Sequence, residues 1–133
     1  MASSLAQGIR RRGNARSAAQ SLAQAYSSGQ GDAAAQALAS AAAEGGDSSF
    51  AVADAVAETV QAQPKVAPWL LHKSANLAVN SGNTQSFSRA MADAFTVANK
   101  KKVMPQFTNA VADAISQGGA PTRYAFGQVG ATC

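Results

Sequence analysis

This 133-residue chain has very little of the equipment that chemistry on a substrate requires. It holds one cysteine, one histidine and one tryptophan, and only 14% of its residues carry charge. The cysteine is Cys133, the last residue, so an intrachain disulfide is excluded. What remains for it is a cross-link between two chains or an inert thiol. A nucleophilic triad needs a serine or cysteine beside a base that a third group orients. Serines abound, but His72 is the one imidazole, and it stands between Leu71 and Lys73 on a helical stretch. A lone histidine there reads as a surface or packed side chain. A metal site needs clustered ligands, and one histidine, one terminal cysteine and scattered acids supply none. No catalytic, metal-binding or cofactor-binding residue is therefore assigned, and the chain is expected to be non-enzymatic.

Other absences narrow the class further. No apolar run approaches the roughly 18 residues that span a bilayer. The pairs around Gly29 and Gly31 and at Gly45-Gly46 follow helical stretches instead of joining a strand to a helix. They read as helix ends, not as a phosphate loop. Aromatic residues make up 6% of the chain, and none lies in its basic start. Specific nucleic-acid binding, which wants basic residues interleaved with aromatics or a base-reading helix, is not expected.

The charge that is present is uneven. The net charge is +4, and Arg10, Arg11, Arg12 and Arg16 all precede the first acid, Asp32. A second cluster is Lys100-Lys101-Lys102. Both are candidate electrostatic contacts for a polyanion, a membrane surface or the carboxylates of another copy. The plainer reading is a solvated arm and a solvated helix end. The opening residues lack the apolar stretch of a secretory signal, and their acid-free, basic character fits an organellar transit segment as well as a short arm.

What the chain has in abundance is alanine, arranged with bulky apolar residues four apart. A unit of the form apolar-Ala-Asp-Ala-apolar occurs at Val52–Val56, Met91–Phe95 and Val111–Ile115. Looser relatives stand at Leu22–Tyr26 and Leu38–Ala42. Spacing of four puts the bulky residues on one helical face. Such helices are too thin to bury that stripe alone and must stack on neighbours. The aspartate between two alanines, in Asp54, Asp93 and Asp113, points away from the stripe and is expected to face water.

Read along the chain, residues 1–14 form a flexible basic arm. Helices are expected over about 15–27, 33–44, 49–62, 68–79, 84–100 and 105–117. Asp32 is suited to cap the second, Pro68 and Pro105 to open the fourth and sixth, and the lysine run to close the fifth. Gly118-Gly119 and Pro121 end the last helix, leaving residues 120–133 as a polar tail. The expected fold is all-α, a compact bundle of five or six short helices over residues 15–119. Its core is expected around Trp69, Phe87, Met91, Phe95, Phe107, Val111 and Ile115. With so few large side chains, these dominate the stability, because burial contributes about 25 cal/mol per Å².

The stretches Ser17–Gly29, Gln36–Ala41 and Phe87–Phe95 give most of the chain a texture of Ala/Ser/Gln-rich short helices broken by Gly, Asn and Ser. In that texture it resembles the helical repeat domains of spider silk proteins. The resemblance implies a soluble helical unit that assembles with its own kind into extracellular fibre. The Arg-rich arm, the lysine triplet and the lack of long Ser or Gly linkers depart from the silk pattern. The expected function is thus a structural, self-associating module with no cofactor, with Cys133 a candidate interchain disulfide. The alternative is a small helical binding protein for an apolar ligand, a peptide or a membrane surface.

Overall fold

Alanine's high helix propensity and the glycine and proline breaks between alanine-rich stretches produce a chain of short helices. The computed structural model describes residues 15–44 and 48–132, and all of its regular structure there is helical. The helices are α1 (Ala15–Ser27), α2 (Gly31–Glu44), α3 (Ser48–Ala62), α4 (Ala67–Asn80), α5 (Thr84–Lys100), α6 (Met104–Gly118) and α7 (Ala120–Thr132). The all-α class is as expected, but the described residues hold seven helices, not five or six. Arg10, Arg11, Arg12 and Cys133 lie outside the described residues. No helix among the described residues is long and apolar enough to cross a membrane.

The extra helix is α7, in residues expected as a tail. Gly118-Gly119 does end α6, but as a corner. Gly119 has φ 74° and ψ −149°, a conformation open to glycine and strained for other residues. A Cβ on Gly118 would stand 1.9 Å from Thr122 Oγ1 and 2.7 Å from the Cβ of His72. The missing side chain lets α6 hand over to α7 directly against α4. Pro121 then falls in the first turn of α7, where its missing N–H costs nothing.

Three of the connections use one device. The α1–α2, α4–α5 and α5–α6 linkers are three residues each. Each closes with a backbone bond reaching back five residues: Gln30 N–H to Ala25 O (2.7 Å), Asn83 N–H to Ala78 O (2.8 Å) and Val103 N–H to Ala98 O (2.9 Å). Such a cap needs a left-handed residue just before the donor. Gly29 (φ 85°) and Gly82 (φ 77°) provide it, but the third position is Lys102 (φ 61°). Asn83 is the residue before α5, and it makes no side-chain cap.

Packing follows two sets of neighbours. The most extensive contacts join α1 to α3, α3 to α5 and α5 to α7, and likewise α2 to α4 and α4 to α6. The two sets stack on each other through α2, α4 and α6. At the middle runs α3, with Ala51, Val52, Ala53, Ala55, Val56, Ala57, Thr59 and Val60 all buried. Alanine at these positions lets the surrounding helices come close, so the core is made from many small contacts and a few large ones. The large ones are Phe87, Phe107, Leu22, Leu38, Leu70, Leu71 and Met91. The buried hydroxyls of Thr59 and Ser74 are satisfied within their own helices, by Ala55 O (2.7 Å) and Leu70 O (2.7 Å).

Candidate functional site: an open aromatic and alanine-floored face

Of the expected core residues, Phe87, Met91, Phe107 and Val111 are buried. Trp69, Phe95 and Ile115 are half-buried and pack against the core from its margin. Phe95 meets Phe107 with ring centroids 4.5 Å apart. The margin position of Trp69 has a local cause. Pro68 starts α4, so Trp69 sits in its first turn, level with the end of α1 and the start of α2. There Tyr26 meets the indole edge-on at 5.1 Å. Gly31 lies under it: a Cβ at Gly31 would be 2.8 Å from Trp69 Cη2. One turn on, Lys73 Nζ stands 5.8 Å from the Trp69 ring centroid, and the His72 ring lies at 6.1 Å. Aromatic pairs and cation–π contacts of this kind contribute about 0.5–1.5 kcal/mol each.

A separate crevice of about 300 Å³ lies between α2 and α4, toward the end of α4. Its floor is Ala39 and Ala78, and its rim carries Gln36, Ser40 and Asn83. Leu77, 36% exposed, lines it, whereas Tyr26, 37% exposed, stands against Trp69. Trp69, Lys73 and Leu77 are spaced at i, i+4 and i+8 and form one stripe of α4. A second, larger groove of about 420 Å³ lies between α1 and α3, lined by Gln20, Glu58, Gln61 and Gln63 among others. Inside the bundle, the space among Leu22, Leu38, Val56, Val60, Leu70 and Leu71 amounts to about 10 Å³. That is about the least that accommodates one water molecule.

The charged candidates sit elsewhere. Lys100 lies in the last turn of α5, where the helix dipole favours a cation. Lys101 reaches Glu58 on α3 at 3.0 Å, an ion pair within the chain. Lys102 occupies the left-handed cap and is exposed. Of the three repeat aspartates, Asp113 is exposed, whereas Asp54 and Asp93 are half-buried. The expectation that all three face open water therefore holds only for Asp113. The reason is that α3 and α5 are wrapped on more sides than one apolar stripe implies.

His72, half-buried on α4, stands where the α6–α7 corner meets that helix. Its Nδ1 is buried without a hydrogen-bond partner. Burial, and secondarily the neighbouring Lys73, hold its pKa below the ordinary value of 6.5. Beside it Thr122 Oγ1 donates to Asn76 Oδ1 at 3.0 Å. No set of three or more His, Cys, Asp or Glu side chains that could hold a metal lies among the described residues.

Sequence reading did not bring Tyr26, Gly31 and Trp69 together. They belong to three helices, and no local pattern links them. Compared with known proteins, the chain matches no family model, no curated protein and no solved structure.

Proposed function

We propose that this chain is a non-enzymatic self-association module, a helical unit that works by packing against further copies of itself. The observation that carries the reading is the α2/α4 face. There Leu77 stands exposed on the alanine-floored crevice, and the exposed Tyr26 packs on half-buried Trp69 nearer the start of α4. An alanine floor admits a helix backbone at close range, and the glutamine, serine and asparagine rim offers it hydrogen bonds. The exposed Lys100 and Lys102 add salt-sensitive contacts to acids of a second copy. An extracellular, fibre-forming setting is in keeping with the silk-like texture.

Sedimentation over a concentration and salt series tests the reading. Mass should rise with protein concentration, and Leu77→Lys should return the chain to monomer. A wild-type monomer that persists at millimolar concentration sinks it. If the monomer persists while an amphipathic peptide helix saturably changes Trp69 fluorescence, the same crevice serves a foreign helix and the binding-protein alternative takes over.

A further inference from the structure

A single residue joins the last two helices. α6 ends at Gly118 and α7 begins at Ala120, so Gly119 alone makes the corner between them. It does so at φ 74° and ψ −149°, the mirror image of the polyproline backbone and a region that essentially only glycine enters. Nothing lies within 4 Å of a Cβ built on Gly119. The restraint at this position is therefore one of backbone alone, and it applies only while the chain turns back on itself. Gly118 adds a second restraint of the same origin. Its Cβ would meet Thr122 Oγ1 at 1.9 Å, because α7 of the same chain returns at that point.

What α7 returns to is a formed seat on α4 and α5. Ser88 Oγ on α5 donates to Ala125 O at 2.8 Å, and Phe126 meets Phe87 edge-on at 5.8 Å. Thr122 Oγ1 donates to Asn76 Oδ1 on α4 at 3.0 Å. All of these contacts lie beyond the corner, and none uses Gly119. They are indifferent to which chain supplies the helix. Pro121 governs how the corner opens, since its ring and missing N–H block an unbroken helix from α6 into α7. The opened connection is extended, and residues 118–120 then reach about 10 Å.

We infer that α7 is an exchangeable helix: two copies of this chain pair by each placing Ala120–Thr132 in the other's α4–α5 seat, with Gly119 as the hinge. The occupant fits because helix and seat are already complementary halves of one interface. Each copy gives and receives the same element, so the pair closes on itself. Glycine bears the corner without strain, which keeps the single chain competitive. Within that chain α7 meets its own seat at an effective concentration on the order of millimolar, so the turned-back form prevails in dilute protein. A Cβ at position 119 penalises the turned-back form and leaves the exchanged one untouched. Exchange requires α7 to leave its seat, so it takes place during folding and not on mixing folded chains. It does not rest on the α2/α4 face, and either contact stands if the other fails.

The test refolds chains from urea at about 1 mM, in a background of Leu77→Lys and Cys133→Ser that removes the α2/α4 contact and the native thiol. One chain carries Ser88→Cys and the other Ala125→Cys, the two positions joined by the 2.8 Å hydrogen bond. Oxidation should give a covalent dimer of one chain of each kind, and none when the folded chains are mixed without unfolding. Gly119→Val on both chains should raise the ratio of dimer to monomer at least about tenfold. Sedimentation of refolded Gly119→Val without the engineered cysteines reads the same shift, so a cysteine pair that fails to close hides nothing. Gly119→Ala, equally free of clashes, serves if the valine chain does not fold. A position-119 variant that refolds as a monomer at about 1 mM, with α7 docked or frayed, overturns the inference. So does a dimer no more abundant than with Gly119 in place. Failure of the α2/α4 reading shows elsewhere, in wild-type protein that was never unfolded.

Discussion

α3 and α7 are helices of similar length, 15 and 13 residues, held by opposite means. The first is enclosed by α1, α2, α5 and α6, and most of its described side chains are buried. The second is held from one side, by Ala125, Phe126, Thr122 and the hydroxyl of Ser88, while Tyr124 is 56% exposed. Enclosure by small residues makes a helix inseparable from its neighbours, because each surrounding helix loses packing when it leaves. One-sided attachment leaves a helix that can come away by itself at a cost below that of global unfolding. The comparison teaches that alanine here is a tight-packing residue at the centre, whereas specific side chains make the attachment at the edge.

Substitutions can break or sharpen this contrast. Phe87→Ala strikes both regions at once, because the ring is fully buried and also meets Phe126. It should cost about 3–5 kcal/mol, seen as a large fall in the urea midpoint together with loss of α7 protection. Ala55→Leu inserts bulk into the fully buried centre of α3. It should cost about 1–3 kcal/mol and lower the global unfolding midpoint, not that of one segment.

Gly118→Ala is the matching lesion at the edge, since its methyl meets Thr122 Oγ1 and the His72 Cβ. A cost of about 1–3 kcal/mol is expected, but confined to α7. Hydrogen exchange should show residues 120–127 opening while α3 is unchanged; equal loss in both helices would abolish the distinction drawn above. The smallest effect is a gain. Lys102→Gly relieves a left-handed residue at the third of three alike linkers. Chemical denaturation should report about 0.5–1 kcal/mol of added stability, with both helices benefiting because α5 is tied to each.

The resolution of the sequence was finest where structure is local. The limits of α1 and α5 coincide with the expected ranges, and those of α2, α3, α4 and α6 differ by at most two residues at an end. These limits depend on glycine, proline and apolar spacing, all of which act within a few residues. Local pattern misread residues 120–132, because Gly118, Gly119 and Pro121 are the same signals whether a chain stops or turns a corner. Pro121 in a first turn, followed by Thr122, Ala125 and Phe126 at helical spacing, was the sign available. The candidate face was less legible still. Trp69 looked like a core residue, and only the approach of Tyr26 and Gly31 leaves it at the margin.

By itself, then, the sequence determined that this protein is a set of short alanine-rich helices with few large side chains, since propensity and periodicity are written in neighbouring residues. Tertiary structure alone decided which of those side chains stay open, that Lys101 is paired to Glu58, and that the Nδ1 of His72 is buried without a partner. Those outcomes depend on residues tens of positions apart meeting in space, and no short-range pattern encodes such a meeting.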